Sequence, residues 1–210
     1  MTEEEARAWV ERSFDVPRGT MDRLDAFAAL IRAESQRQNL VSKASLDSLW
    51  LRHIADSAQL VRLAPSRAAS WVDLGSGAGF PGLIVALLHA GPVTMIEERR
   101  LRVDFLHRAA AVLGIEAEIL PIKVERAPAR RFDVISARAF APLPRLLDLG
   151  TALSTGKSRW VLPKGRNAES ELAALDPSWQ GRFELHASVT DADARIIVAD
   201  GVQRAKGRRT

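Results

Sequence analysis

The sequence predicts an α/β fold in which a mostly parallel sheet is covered by helices on both faces and is preceded by a helical extension. Three observations indicate this fold. From residue 71 onward, short apolar runs of strand length alternate with helical patterns, and strands separated by helices pair in parallel. A glycine-rich turn joins the first of these strands to a helix. Before that point, apolar residues recur every three or four positions, as in amphipathic helices.

The extension is predicted to contain three helices, each from its apolar repeat. In the second helix, Leu24, Phe27 and Ile31 lie on the buried stripe. The predicted bounds are Glu3–Phe14, Thr20–Gln38 and Leu46–Leu63. A chain of 210 residues that is 47% hydrophobic has enough apolar material for one substantial core. We therefore interpret residues 1–66 as an extension packed on a core of residues 67–210, which ends in a basic tail.

The core is predicted to contain seven strands and four main helices. The strands are Ser70–Leu74, Val93–Glu97, Glu116–Leu120, Phe132–Ser136, Arg159–Leu162, Gly181–Ala187 and Arg195–Asp200. The helices are Leu83–Ala90, Leu101–Leu113, Leu143–Leu153 and Ala168–Leu175, with a short helical turn near Val124. The last two strands have no helix between them, so we expect them to pair antiparallel at one edge of the sheet.

The turn after the first strand has the composition of a cofactor loop. Glycines at 75, 77, 79 and 82 leave four positions of this turn without a Cβ, so the backbone can adopt positive φ there and a ligand can approach its amides. Pro81 suits the first turn of the following helix. Gly77, Gly79 and Gly82 also match the G-x-G-x-x-G pattern of dinucleotide-binding folds, so the glycines alone leave the cofactor open.

Two acidic residues bear on the choice of cofactor. Asp73 lies two residues before the first glycine, where we expect it to face the occupant of the turn, oppose a pyrophosphate and favour a cation. S-adenosylmethionine carries a sulfonium, an ammonium and no phosphate, so it is favoured over NAD. Glu97 ends the second strand and can accept hydrogen bonds from ribose hydroxyls in either cofactor class. The alternative for Glu97 is a solvated acid at a helix start.

Ligands of such sheets bind at the carboxyl ends of the strands. We therefore expect four segments to converge on one pocket: Asp73–Phe80, Glu97, Lys123–Arg126 and Ser136–Phe140. There, Val124 is placed to wall an adenine, and Glu125 with the adjoining backbone can bond the adenine amino edge. For Glu125 alone, a surface loop position is the alternative.

The residues that are absent narrow the chemistry of methyl transfer. The chain has no cysteine, which excludes methylation at pyrimidine C5 because that reaction needs a cysteine adduct. The Asp/Asn-Pro-Pro-aromatic clamp for exocyclic amines is also missing, since the corresponding segment, residues 136–142, reads Ser-Ala-Arg-Ala-Phe-Ala-Pro. Guanine N7 has an in-plane lone pair and needs only positioning. Arg138 can bond either guanine or the cofactor carboxylate, and we favour the carboxylate. The alternative is a structural ion pair with Glu97 or Glu125.

Charge points to RNA. The net charge is +4, and because residues 1–200 carry equal numbers of acidic and basic side chains, the excess lies in the tail with Arg208 and Arg209. Arginine makes up 25 of the 30 basic residues and is well suited to phosphates and bases. Lys164 and Arg166 are further candidates for phosphate contacts, with solvated surface as the alternative. The four histidines show no metal-ligand spacing, so no metal is expected.

Several linked motifs, spread over residues 39–172, resemble the bacterial 16S ribosomal RNA guanine-N7 methyltransferase family, also called glucose-inhibited division protein B. The motifs are Asn39-Leu40-Val41-Ser42, Arg52-His53-Ile54-Ala55-Asp56-Ser57, Val72 to Gly82, Ser136-Ala137-Arg138-Ala139-Phe140 and Leu162-Pro163-Lys164-Gly165. The resemblance implies a class I S-adenosylmethionine-dependent methyltransferase, with a Rossmann-like seven-stranded sheet and an N-terminal helical extension. It implies as substrate a guanine in the 530 loop of 16S rRNA or the small ribosomal subunit.

By the same resemblance, five residues contact S-adenosylmethionine: Gly75, Phe80, Val124, Glu125 and Arg138. Glu97, Ala137 and Pro163 depart from the usual family residues. His53 and Asp56 lie on one helix face and form either a polar patch at the pocket mouth, as positioning residues, or an interhelical hydrogen-bond cluster. With no long apolar segment, we expect a cytoplasmic monomer that binds neither membrane nor DNA. The alternative functions are a small NAD-dependent oxidoreductase and a non-catalytic RNA-binding module.

Overall fold

The computed structural model describes residues 1–205. Its α-helices are α1 (Glu3–Ser13), α2 (Thr20–Glu34), α3 (Lys43–Leu46), α4 (Asp56–Val61), α5 (Gly82–Leu88), α6 (Arg100–Leu113), α7 (Leu143–Thr151) and α8 (Ala168–Ala173). A π-helical stretch, Trp50–Ala55, leads into α4, and a 3-10 turn covers Val124–Arg126. The strands are β1 (Trp71–Leu74), β2 (Val93–Ile96), β3 (Glu118–Leu120), β4 (Val134–Ser136), β5 (Arg159–Gly165), β6 (Trp179–Ala187) and β7 (Arg195–Arg204).

The seven strands form one sheet in the order β3-β2-β1-β4-β5-β7-β6. The first five strands along the chain pair in parallel. Strand β7 runs antiparallel to both β5 and β6, which confirms the expected antiparallel edge. Strand order reverses between β1 and β4, so the carboxyl ends of these two central strands flank the point where open α/β sheets bind their ligands.

The extension and one face of the sheet share a hydrophobic cluster. Buried side chains of α1 and α2 pack there with α5 and α6, and the rings of Phe27 and Phe80 lie 5.5 Å apart. Phe80 belongs to the glycine-rich loop. The extension therefore contacts the loop itself, and the loop is supported on the side away from the sheet.

The third predicted helix differs from the observed structure. We expected one helix over Leu46–Leu63, but the chain forms α3, then the π-helical stretch, then α4. The side chain of Glu3 explains the new start, because its two carboxylate oxygens accept hydrogen bonds from the backbone N–H groups of Trp50 and Leu51 at 3.1 and 2.7 Å. A carboxylate on α1 thus caps amides that a helix start leaves free.

Among the helices of residues 1–205, none combines the length and apolar character that crossing a membrane requires.

The packing of α7 on the sheet predicts how a substitution of Gly150 in that helix affects stability. A Cβ added to Gly150 would lie 2.6 Å from the indole ring of Trp160, which is fully buried. We expect Gly150→Ala to lower the free energy of unfolding by about 1–3 kcal/mol through overpacking, although alanine is the better helix former. Urea denaturation checks this. Gly156→Ala is the matched control, since no atom lies within 4 Å of its added Cβ; equal stability of the two variants would contradict the prediction.

Candidate active site

The backbone of the glycine-rich loop after β1 adopts conformations that are unfavourable for residues with a Cβ. Gly75, Gly77 and Gly79 have φ values of 67°, 56° and 88°, in the region that favours glycine. A Cβ on Gly75 would also lie 2.1 Å from the ring of Phe140. The loop therefore presents bare backbone at the carboxyl end of the sheet, which is the arrangement a bound cofactor requires.

Asp73 is buried beneath this loop, with no exposed surface. Its carboxylate accepts hydrogen bonds from the hydroxyl of Ser136 at 2.8 Å and the N–H of Gly82 at 3.2 Å. Burial raises the pKa of the Asp73 carboxyl to about 6, against the opposing effect of these hydrogen bonds. The expectation that Asp73 faces the occupant of the turn is therefore wrong. Asp73 fastens the loop to β4 and α5 from below.

Glu97 lies at the opposite side of the loop and is 7% exposed. Its carboxylate accepts hydrogen bonds from the N–H groups of Gly77 and Arg99, both at 2.9 Å. It borders a cleft of about 500 Å³ that is also lined by Val124 and Glu125. The Glu125 side chain is half-exposed and lies 3.0 Å from Arg145. Four of the predicted cofactor-binding residues, Gly75, Glu97, Val124 and Glu125, thus share one cleft.

A second, larger cavity of about 1010 Å³ lies between the extension, the loops after β4 and β5, and the loop joining β6 to β7. Arg138 and Asp56 line this cavity rather than the cleft. The two spaces have one segment in common, Ala139–Ala141. The four segments that were expected to form a single pocket therefore border two adjoining spaces.

Arg138 is largely buried, with 18% of its side chain exposed. Its guanidinium donates hydrogen bonds to the carbonyl of Arg52 at 3.0 Å and to Nδ1 of His53 at 2.8 Å, and it lies 3.5 Å from the carboxylate of Asp56. It also lies over the ring of Phe80, 5.1 Å from the centroid. The alternative pairing of Arg138 with Glu97 or Glu125 is wrong, because its partners come from the extension.

His53 is an acceptor toward Arg138. A guanidinium only donates, so Nδ1 of His53 carries a lone pair and the imidazole is neutral. Burial, reinforced by the charges of Arg138 and Arg52, lowers the pKa of His53 to about 3. The ring stacks on Phe80 at a centroid distance of 5.0 Å. His53 thus fixes the plane of the Arg138 guanidinium.

Asp56 connects the extension to the loop between β6 and β7. Its Oδ1 accepts hydrogen bonds from Gln59 at 2.9 Å and from the hydroxyl of Thr190 at 3.1 Å. Burial raises the pKa of the Asp56 carboxyl, which the charge of Arg138 partly offsets. The expected interhelical cluster is therefore wrong in its partners: His53 and Asp56 are held by Arg138 and Thr190, which lie in loops of the core, and Asp56 borders the larger cavity.

The predicted phosphate-binding residues differ in their accessibility. Lys164 is only 9% exposed and its ammonium bonds to Glu171 and to the carbonyl of Ala141, both at 2.9 Å. It is therefore not the free surface cation that we expected. Arg166 is 70% exposed and lies 3.2 Å from Asp193. The remaining two candidates, Arg208 and Arg209, lie outside the described residues.

Sequence reasoning missed Arg102. Its guanidinium borders the cleft, lies where a Cβ on Gly77 would come within 2.8 Å, and donates a hydrogen bond to the carbonyl of Asn39 at 3.0 Å. The sequence did contain a signal for a functional role of Arg102. Arg99, Arg100 and Arg102 surround the start of α6, where the helix dipole disfavours cations. Cations retained at an unfavourable end of a helix indicate a use other than helix stability.

Comparison with known proteins identifies the family. The family model described as GidB, rRNA small subunit methyltransferase G, matches residues 20–197. The chain belongs to this family. The ribosomal RNA small subunit methyltransferase G of Zymomonas mobilis is 45% identical to this GidB-family chain, and the alignment covers all of both proteins. The protein of the same name from Rhizorhabdus wittichii is 50% identical, over all of this chain and 98% of that protein.

Solved structures of lower identity share the fold. A ribosomal protein L11 methylase from Lactobacillus delbrueckii subsp. bulgaricus superposes with a TM-score of 0.55 at 17% identity, covering 77% of this chain and 80% of that one. A variant of MtNAS in complex with S-adenosylmethionine gives a TM-score of 0.57 at 13% identity, covering 88% and 75%. The GidB-family chain thus has the expected class I methyltransferase fold.

The burial of Asp73 predicts a pH dependence of stability. A carboxyl whose pKa is raised on folding stabilises the fold below its unfolded pKa, and this contribution is lost as pH rises through about 6. Asp73→Asn removes this titration. From about pH 4 to about pH 7, the stability of the wild type should therefore fall relative to the variant, by up to about 3 kcal/mol. Urea denaturation at several pH values measures the difference.

A matched control has the opposite sign. Hydrogen bonds from Ser70 lower the pKa of the exposed Asp133, so that carboxyl contributes stability above its unfolded pKa and loses it as pH falls. The wild type should gain stability relative to Asp133→Asn as pH rises. Parallel pH profiles for the two variants would rule out the proposed protonation of Asp73.

Proposed function

We propose that the protein transfers a methyl group from S-adenosylmethionine to N7 of a guanine in the 530 loop of 16S rRNA. The observation that carries this proposal is the family match, because residues 20–197 include the glycine-rich loop, the cleft and Arg138. The family and the fold make the chain an S-adenosylmethionine-dependent rRNA methyltransferase. The guanine, its N7 atom and its loop follow from the motif resemblance.

The residues present fit the cofactor. Gly75, Glu97 and Val124 line one cleft, which offers bare backbone, a carboxylate for a ribose and an apolar wall for an adenine. In the adjoining cavity, the buried guanidinium of Arg138 has one carboxylate, Asp56, at 3.5 Å. We propose that Arg138 binds the cofactor carboxylate, and that Glu97 accepts the ribose hydroxyls after giving up its hydrogen bond to Gly77.

The proposed chemistry asks little of the side chains. When bound, S-adenosylmethionine supplies a methyl group on a positively charged sulfur, and its transfer to N7 leaves a neutral thioether and a cationic base, with no proton to remove. His53 does not serve as a base, since Arg138 occupies its Nδ1 lone pair. The protein contributes alignment and exclusion of water. The titratable groups of this site are hydrogen-bonded to one another, which suits a reaction that needs no general base.

The proposal extends to the partners and the setting of the reaction. An RNA substrate follows from the family, and we propose that the protein acts as a cytoplasmic monomer that binds neither membrane nor DNA. Because Asp73 is buried, its charge no longer argues against a bound NAD. The family match, however, does not favour an NAD-dependent oxidoreductase. The family match likewise does not favour a non-catalytic RNA-binding module.

Methyl transfer to small ribosomal subunits tests the function. Purified full-length protein is incubated with tritiated S-adenosylmethionine and particles that have not been methylated, and primer extension maps the modified base. Label at one guanine of the 530 loop is expected. Binding of particles without label would favour the RNA-binding module. Binding of NADH without binding of S-adenosylhomocysteine would favour the oxidoreductase.

Arg138 provides a test of cofactor binding. We expect Arg138→Ala to weaken S-adenosylmethionine binding by roughly 10- to 100-fold, because it removes charge-assisted hydrogen bonds. Calorimetry measures the dissociation constant. The control is Arg166→Ala, which removes an exposed arginine of the larger cavity and should leave cofactor affinity unchanged. Equal affinities for the Arg138 variant and the wild type would refute the assigned role.

A further inference from the structure

The cofactor cleft and the larger cavity meet at a single segment. Of all the residues that line the two spaces, Ala139, Phe140 and Ala141 alone are common to both. A methyl donor whose nucleoside lies in the cleft and whose carboxylate reaches Arg138 in the larger cavity has to meet the substrate base within bonding distance. If the donor lies over the glycine-rich loop, the base has to enter from the larger cavity and pass this segment. The methyl donor and the substrate base can therefore meet beside this segment.

Phe140 is the side chain of this segment with an aromatic face. One side of its ring packs on the backbone of Gly75, and the residue is nevertheless 36% exposed. Among the large apolar side chains exposed within residues 1–205, it is the one aromatic; the others are Met1, Leu101, Val112, Leu185 and Val189. Its exposed face lies at the junction of the two spaces, where a flat ligand could stack on it.

The backbone around Phe140 is held rigidly. Ala139 has a φ of 50°, which costs a residue with a Cβ about 1–2 kcal/mol. On the other side, Lys164 donates to the carbonyl of Ala141, and Glu171 accepts both the ammonium of Lys164 and the N–H of Leu143, at 2.8–2.9 Å. Strain retained under such support is typical of functional segments. The backbone that follows Phe140 is thus held in place by side-chain hydrogen bonds.

We propose that Phe140 is the platform on which the target guanine stacks, an assignment that rests on the proposed function. Enzymes that modify a base within structured nucleic acid take it out of the stack and hold it between apolar or aromatic groups. Stacking fixes the plane of the base and leaves its edge free. The N7 lone pair lies in that plane, so a base stacked on Phe140 can turn N7 toward the cleft.

Stacking also suits the product. Transfer forms the N7–carbon bond as the carbon–sulfur bond breaks, the electron pair of that bond stays on sulfur, and the positive charge passes to the base. A cationic base interacts favourably with the face of a phenyl ring. The same side chain therefore serves the neutral substrate and stabilises the charge that develops during transfer.

Substitutions at Phe140 separate stacking from simple packing. Phe140→Leu keeps an apolar side chain against Gly75 and removes the aromatic face, whereas Phe140→Trp keeps the face. Methyl transfer to unmethylated small subunits gives kcat and KM, and calorimetry gives cofactor affinity. Leu185→Ala, at another exposed apolar side chain on the outer strand β6, is the control, and thermal melting confirms that each variant is folded.

We expect Phe140→Leu to lower kcat/KM for the particles by roughly 10- to 100-fold, the range that base–aromatic stacking provides. Its cofactor affinity should stay within a few-fold of the wild type, and Phe140→Trp should recover most of the activity. Equal activity of Phe140→Leu and wild type overturns the stacking role, as does a Trp variant no better than Leu. A parallel loss of cofactor affinity also overturns it. If the wild type labels no particle, the proposed function fails first and this assignment fails with it.

Discussion

The carboxylate of Asp73 joins the elements that meet beneath the cofactor loop. Strands β1 and β4 are neighbours, with Asp73 opposite Ser136 in register, and the Ser136 hydroxyl bridges Asp73 to the indole N–H of Trp71. The other carboxylate oxygen accepts the N–H of Gly82, where α5 begins. The glycines of this loop have no side chains with which to hold the backbone in place. Its position depends on this buried anchor from below and on Glu97 from the side.

Sequence patterns predicted the parts of the fold that depend on local periodicity. The alternation of strands and helices, the glycine-rich turn and the antiparallel edge could all be recognised from the sequence alone. Contacts between distant residues were not. Glu3 begins the π-helical stretch by capping amides 47 and 48 residues away, and no periodic pattern records such a partner. Strand ends differ for the same reason, since β7 continues to Arg204 by pairing with β6.

The candidate site shows the same division. The residue types of the site were predicted, because glycines, strand-end acids and Arg138 carry their chemistry in the sequence. Their partners were not predicted. The structural alternative for Arg138 was a pair with an acid of the core, yet Arg138 is held by the extension. Lys164 was expected at the surface and is nearly buried. Side-chain orientation decides whether a charge reaches a ligand or supports a loop, and orientation is set by tertiary packing.

The shared cluster of the extension and the core has a consequence for synthesis. The apolar face of α2, with Leu24 and Phe27, is covered by side chains of α5 and α6, which follow much later in the chain. A ribosome adds ~5–20 residues per second, so this face waits for its cover for on the order of ten seconds after it emerges. During that interval the apolar face of the nascent segment stays exposed to water. The extension therefore completes its packing only after α6, which ends at Leu113, has been synthesised.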